Sequence, residues 1–502
     1  MALISVQHLS FAYDGSYEPV FSDTSFQIDT NWKLGLVGRN GKGKTTFLRL
    51  LRGELEYTGT ISGRPVCDYF PYEVQDEELT PLELAAGLAP DALEWKVYRE
   101  AEQLQIPEDA LHRPFRSLSN GEKTKILLCI LFLREGHFLL IDEPTNHLDM
   151  QGREVLSSYL NTKKGFILVS HDRAVLDRCV DHILSINRAT IEVMRGNCSD
   201  WIEYRRRQDA FEQGENEKLK KEISRLEQTM AEKAQWAEQS ERTKIGFNPN
   251  KVEKSMDRRA YIGAKTKKAN KRAKALQGRM EKAISDKEGL LKNIERADAL
   301  KIPYEPYRKQ RLAVLRDFTV AYQGKPVFEP VTFEILRGQR ICIQGANGAG
   351  KSSLIRALVG EDLGTGGILE KGSGLKISYL PQRTDWLKGD LYRFIDGNGL
   401  DATLFLTILR KMDFERSQFE KPMESYSAGQ RKKVLLARSL SETANLYVWD
   451  EPLNYIDLLS REQIREVLMQ FEPTMIFVEH DKAFCEAVGT TFLTLVRREL
   501  SD

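Results

Sequence analysis

Two nine-residue segments carry the densest chemistry in the chain. They are Gly38-Arg39-Asn40-Gly41-Lys42-Gly43-Lys44-Thr45-Thr46 and Gly345-Ala346-Asn347-Gly348-Ala349-Gly350-Lys351-Ser352-Ser353, both with Gly-x-x-x-x-Gly-Lys-Ser/Thr spacing. The first follows the apolar run Lys33 to Val37 and precedes the helical pattern Phe47-Leu48-Arg49-Leu50-Leu51. Glycines at Gly38, Gly41, Gly43, Gly345, Gly348 and Gly350 let backbone N–H groups close around phosphates. Lys44 and Lys351 would reach the β- and γ-phosphates, while the hydroxyls of Thr45 and Ser352 would bind Mg²⁺. ATP is the ligand this spacing predicts.

A hydrolytic reaction also needs carboxylates at the phosphate end. Phe138-Leu139-Leu140-Ile141 reads as a buried strand ending in Asp142-Glu143, which puts both acids at the mouth where open α/β sheets bind ligands. Asp142 would hold Mg²⁺, and Glu143 would orient or deprotonate the attacking water. His171 ends another apolar run, Phe166 to Val169, and is the third candidate at a strand end. Ser119 and the N–H groups near Gly121 open a helix, where they can meet a phosphate.

Every one of these pieces recurs later. Asp450-Glu451, His480 and Ser427-Ala428-Gly429-Gln430 repeat Asp142-Glu143, His171 and Ser119-Asn120-Gly121-Glu122. The offsets are 307 for the first loop glycine, 308 for the second acid and 309 for the histidine. Near-constant offsets across separate motifs mean a duplicated domain. The expected architecture is therefore α/β: residues 1–200 and 306–502 as two tandem P-loop nucleotide-binding domains, joined by 201–305 as a long α-helical hairpin (coiled-coil) linker.

In that linker Leu219, Ile223, Leu226 and Met230 form a narrow apolar seam, and Leu276, Met280, Ala283, Leu290 and Ile294 form another. The break between the arms is Gly246-Phe247-Asn248-Pro249-Asn250. Residues 242–282 carry 14 basic and 3 acidic side chains, although the whole chain is only +1. Two readings of this charge stand side by side: a solvated coiled-coil spacer, or a polyanion-binding prong. Interleaving with Phe247, Met256, Tyr261 and Ile262 suits the second, because basic patches with stackable rings bind looped RNA. The candidate tip, near 242–266, comprises Arg242, Lys244, Phe247, Lys251, Lys254, Arg258, Arg259 and Tyr261.

With 502 residues and six cysteines lacking any Cys-x-x-Cys pair, the chain reads as a multidomain protein of a reducing, cytoplasmic setting. The N-terminus has no basic segment followed by a long apolar core, so no signal peptide is expected. Its longest apolar run, Ile126 to Leu133, is far shorter than the roughly 20 residues a membrane span needs.

Each half resembles the ATP-binding-cassette (ABC) nucleotide domain: P-loop, signature, acidic strand end, aspartate loop (Asn146 to Asp149, Asn454 to Asp457) and switch histidine. The resemblance implies that Tyr13 and Tyr322 stack on adenine, that Asn40, Thr46, Asn347 and Ser353 join the phosphate sites, and that Gln382 of Tyr379-Leu380-Pro381-Gln382 joins the metal. The first half departs here, since Tyr69-Phe70-Pro71 is followed by Tyr72, with Gln75 out of register. It further implies composite sites, the first P-loop facing Ser427, Gly429 and Gln430 and the second facing Ser119, Gly121 and Glu122. The chain would work as a monomer with its two cassettes paired.

Two cassettes flanking a helical linker resemble the ABC-F family of translation-associated ATPases. That family implies a ribosome partner, with large-subunit rRNA and P-site tRNA as neighbours of the linker. The short stretch from glutamine loop to signature leaves no room for the extra arm of housekeeping members. The chain thus looks more like the resistance members of the Vga and Lsa type, which protect ribosomes from lincosamides, pleuromutilins and group A streptogramins. A housekeeping ABC-F translation factor stays open as the alternative. A transporter ATPase would need separate membrane subunits. A DNA-repair or chromosome-organising ATPase would carry its coiled coil inside one cassette.

Overall fold

A computed structural model describes residues 3–14, 19–146, 148–187, 190–245 and 302–498. The chain divides into two compact units, Met1–Trp201 together with Ala297–Asp502, and Ile202–Arg296.

The larger unit holds the same two-sheet design twice. In the first half the core sheet runs Cys67–Phe70, Phe138–Asp142, Phe166–Val169, Lys33–Gly38, His182–Asn187, Thr190–Arg195, parallel except for the last pair. The second half repeats the first five positions with Ile377–Leu380, Leu446–Asp450, Met475–Val478, Arg340–Gln344 and Thr491–Thr494, all parallel. A strand covered on both faces must be apolar throughout, not alternating. Phe138 to Ile141 and Met475 to Val478 meet that demand, every residue being buried. Each half adds a smaller antiparallel sheet, centred on Leu3–Phe11 and on Arg311–Tyr322.

Helices cover the core sheets and begin where chemistry is expected. Lys44–Arg52 and Lys351–Val359 follow the P-loop strands, and Asn120–Phe132 and Ala428–Ser441 follow the two signature serines. Met150–Thr162 and Leu458–Phe471 start at Asp149 and Asp457, whose carboxylates accept from Gly152 N and Ser460 N. Before the second small sheet, Ile302 is buried and the Tyr304 hydroxyl sits 2.7 Å from Thr474 Oγ1. All six cysteines are free, five buried and Cys67 half-buried.

The second unit is described through the helix Cys198–Ile245, whose 48 residues span ~70 Å. Ile223 is buried and Leu219, Leu226 and Met230 are half-buried, while their immediate neighbours are mostly exposed. Arg242 and Lys244 fall on this helix without described side chains. The remaining tip candidates (Phe247, Lys251, Lys254, Arg258, Arg259 and Tyr261) and the returning arm lie outside the described residues. Among the described residues no helix is long and apolar enough to cross a membrane.

Candidate functional site: two composite phosphate sites

Gly43 and Gly350 occupy the residue before each P-loop helix, with φ of 97° and 90°. Neither helix has a side-chain cap there, so its first N–H groups remain available to an anion. A Cβ on Gly43 would lie 2.5 Å from Val20 Cγ1, and one on Gly350 2.7 Å from Phe328 Cδ1. Glycine is required at both positions by conformation and by space.

The loop lysines are drawn inward. Lys44 Nζ donates to Gly38 O at 2.8 Å and Arg39 O at 3.2 Å, and Lys351 Nζ to Gly345 O at 2.8 Å and Ala346 O at 2.9 Å. The strand-end acids stand beside them. Thr45 Oγ1 donates to Asp142 Oδ2 at 3.1 Å, and Ser352 hydrogen-bonds Asp450. Glu143 and Glu451, each one residue further, take φ of 50° and 47°. That left-handed turn is costly for a non-glycine residue and typical of active sites. It points each chain away from its sheet as the backbone N–H still bonds the neighbouring strand, Val169 O at 2.9 Å and Val478 O at 3.0 Å.

Tyr13 and Tyr322 are not core aromatics. Their rings are 43% and 42% exposed, and their hydroxyls sit 2.8 Å from Thr46 Oγ1 and 3.0 Å from Ser353 Oγ. Anchored at one end on the P-loop helix, each ring keeps a free face for a base.

The two halves meet so that each P-loop faces the other half's signature. A cavity of about 870 Å³ is lined by Asn347, Gly348, Gly350, Lys351, Ser352, Ser353, Gln382, Glu451, His480 and Tyr322 on one side, with Ser119, Gly121, Glu122 and Asp149 opposite. Gln105 to Pro107 and Lys125 also line it. Nothing in the local sequence pattern marks those four residues, because they arrive from the loop before the signature and from the next helical turn. Gly345 and Asp450 are not among the residues that line it. On the other side of the pair, Asn40 Nδ2 donates to Tyr455 O at 2.7 Å, across the seam between cassettes. A Cβ on Gly429 would sit 3.1 Å from that Nδ2 and 2.7 Å from Tyr455 O. The first P-loop is thus closed against Ser427-Ala428-Gly429-Gln430, while the second opens onto a cavity.

The signature side chains cap their own helices. Ser119 Oγ accepts from Glu122 N while Glu122 Oε2 accepts from Ser119 N at 2.8 Å, and Ser427 and Gln430 form the same reciprocal pair. Glu122 and Gln430 are therefore turned back to the helix start. Ser119 Oγ also donates to Glu122 Oε2 at 2.8 Å, so its hydroxyl must turn from that carboxylate to meet a phosphate, whereas the Gly121 and Gly429 N–H groups need no such turn.

Electrostatics separate the two sites. Burial pushes the Glu143 carboxyl up to about 7 against the pull of Lys44. Burial acts on Glu451 in the same direction, but contacts from His480 and Gln382 and the charge of Lys432 bring it down to about 2. His171 is driven well below the usual histidine value by burial and by Lys44, so its ring is neutral. Its Nε2 lies 3.1 Å from Asn40 Oδ1 and 3.2 Å from Glu143 Oε1, the second contact lacking hydrogen-bond geometry. Tyr72, at the glutamine position, has its hydroxyl buried in the neighbourhood of Cys129 and Arg134, without a hydrogen-bond partner. Tyr69 instead donates to Asp142 Oδ2 at 2.9 Å.

The donor set suits a hard cation. Asp450 Oδ1 is buried with no hydrogen-bond partner, the Ser352 hydroxyl bonds the same carboxylate, and the Gln382 amide stands beside the neighbouring Glu451. One carboxylate and one hydroxyl are what Mg²⁺ takes from a protein that binds it through phosphates.

The family model described as ABC transporter matches residues 21–146 and 328–454, half of the chain. The ribosome protection protein VmlR of Bacillus subtilis is 27% identical over 98% of this chain and 87% of its own length. The energy-dependent translational throttle protein EttA of Haemophilus influenzae is 26% identical over 94% and 88%. The chain belongs to the ABC transporter family, as an ABC-F ATPase. Among solved structures, the archaeal ribosome recycling factor aABCE1 in complex with the stalk protein aP1 superposes with a TM-score of 0.62 at 19% identity. It covers 97% of this ABC chain and 87% of that one, which extends the shared fold across both cassettes.

Proposed function

We propose that this ABC-F ATPase binds the ribosome near the tRNA exit site in its ATP-bound, closed form. In this reading the linker tip at 242–266 protects the peptidyl-transferase centre from lincosamide, pleuromutilin and streptogramin A antibiotics, and ATP hydrolysis releases the protein. The observation that carries the reading is similarity to a ribosome protection protein that runs through the linker as well as the cassettes. A basic linker adds to it, since phosphate contacts dominate affinity for RNA. Large-subunit rRNA and P-site tRNA are the proposed neighbours, and the cytoplasm the setting.

The cassette residues supply the chemistry. Lys351 and the N–H groups after Gly350 hold the β- and γ-phosphates, and the Ser119 hydroxyl with the Gly121 N–H closes on the γ-phosphate from the other half. Ser352, Asp450 and Gln382 (and Thr45 and Asp142 in the first site) would hold Mg²⁺, which would supply neutralisation of phosphate charge. Glu451, ionised, orients water, and His480 steadies that carboxylate from 3.7 Å. Glu143 and His171 take these roles in the first site. Losing the γ-phosphate removes the group both halves grip, which shifts the balance toward opening.

Expression of the full chain and of its Glu143→Gln/Glu451→Gln variant in a drug-sensitive host tests the proposal. Raised inhibitory concentrations for the three drug classes, with the variant trapped on ribosomes in ATP, are expected. Unchanged concentrations with ribosome trapping intact would instead favour a translation factor without resistance activity, the reading to which the EttA likeness points. Absence of ribosome binding by the ATP-saturated variant would remove both.

A further inference from the structure

Lys432 lies on the first turns of the signature helix Ala428–Ser441, where a lysine would ordinarily snorkel to solvent. It is 1% exposed, among the largest fully buried side chains of the described residues. An ammonium there carries a large desolvation cost and persists only with matched partners. The partners are two backbone carbonyls: Nζ donates to Pro381 O at 3.1 Å and to Asp450 O at 3.2 Å.

Those carbonyls have a shared position. The strands Ile377–Leu380 and Leu446–Asp450 are sheet neighbours, and their pairing ends at Leu380 with Trp449. Pro381 and Asp450 are the residues by which the two chains leave that pairing. The next residues are Gln382 and Glu451, both facing the cavity at the second P-loop. Lys432 therefore clamps together the two strand ends that aim the water-orienting acid and the glutamine beside it.

Among the described residues the first half has no such clamp. Counted from the signature serines, its counterpart is Thr124, buried but too short to span two strands. The strand pairing there ends in the matching register, Phe70 with Ile141, but the residue at the glutamine position is Tyr72, whose buried hydroxyl has no partner, and the Tyr69 hydroxyl bonds Asp142.

We propose that Lys432 is a positioning residue of the second ATP site, fixing Gln382 against Glu451 so that this site, and not the first, is set for fast turnover. The proposal needs only the ATPase chemistry and stands apart from the ribosomal reading.

The test uses the purified full chain in two backgrounds. Glu143→Gln silences the first site and Glu451→Gln the second, and Lys432→Thr is placed in each. A ~10-fold or larger fall in kcat with KM held within about twofold is expected in the Glu143→Gln background, because misplacing a reacting group by under 1 Å costs that much. In the Glu451→Gln background, where Lys432 bears on the first site only through the helix that begins at Ser427, the fall should be several-fold smaller, and fluorescent-nucleotide affinity should be retained in both. Equal losses in the two backgrounds would reduce Lys432 to a stabilising residue and overturn the proposal. No loss with Glu143→Gln would overturn it too. Lys432→Met, which keeps the volume, carries the same comparison should the threonine variant fail to fold.

Discussion

At the scale of single residues, the positions that resist substitution are those with two independent constraints. Gly43 combines a left-handed φ with contacts at 2.5 Å, so Gly43→Ala should cost about 3 kcal/mol in urea unfolding and abolish nucleotide binding at the first site. Tyr72 is the opposite case, a buried hydroxyl without a partner. Replacing it by Phe removes an unsatisfied group, and Tyr72→Phe should raise stability by about 1 kcal/mol, read from the urea midpoint. Glu100 is 3% exposed and meets the Tyr159 hydroxyl at 2.7 Å and the Lys163 ammonium. Burial works to raise its carboxyl, but those hydrogen bonds prevail and the net direction is down. A depressed carboxylate stabilises the fold above its unfolded value of ~4.3 and loses that contribution as pH falls through the folded value. Glu100→Gln should therefore cost about 3 kcal/mol at pH 7 and flatten the acid limb of a stability profile below pH ~4.3.

At the scale of elements, what was legible in the sequence was local. A P-loop is one strand end, one loop and one helix start, so its spacing survives without knowledge of neighbours. The acids of Asp142-Glu143 and Asp450-Glu451 were legible for the same reason, each sitting one step past a continuous apolar run. Tyr72 was legible as a mismatch, but the Tyr69 bond to Asp142 was not. It depends on Cys67–Phe70 lying beside Phe138–Asp142 in the sheet, which periodicity cannot give. Lys432 was invisible for a related reason: a lysine on an amphipathic helix reads as solvated until the sheet beneath it is placed. The reciprocal caps at Ser119 and Ser427 make an element-level prediction. Glu122→Ala removes the N3 partner while sparing the serine hydroxyl, and should cost about 1 kcal/mol, measured by thermal unfolding of the full chain.

At the scale of the molecule, charge pairs cross between the cassettes, two of them from the first P-loop. Lys42 meets Glu415 at 3.0 Å, Lys482 meets Glu154 at 2.8 Å, and Arg39 meets Asp413 at 3.4 Å. Pairs as exposed as Lys482 with Glu154 contribute little, typically under about 1 kcal/mol, and salt weakens them, whereas Arg39 and Asp413 are largely covered. Closure must then draw mainly on nucleotide, whose binding at a hundred times Kd supplies ~2.7 kcal/mol. Glu415→Lys should therefore leave the ATP-saturated pair closed in small-angle scattering at physiological salt, with any opening confined to low salt.

The distribution of sulfur bears on how that movement can be watched. Five thiols are enclosed, and burial pushes the half-buried Cys67 up to about 11, so none offers an accessible thiolate near neutrality. A maleimide dye pair attached at two introduced cysteines, one on each cassette surface, would therefore report the opening stroke in the otherwise native chain, with no background labelling to subtract.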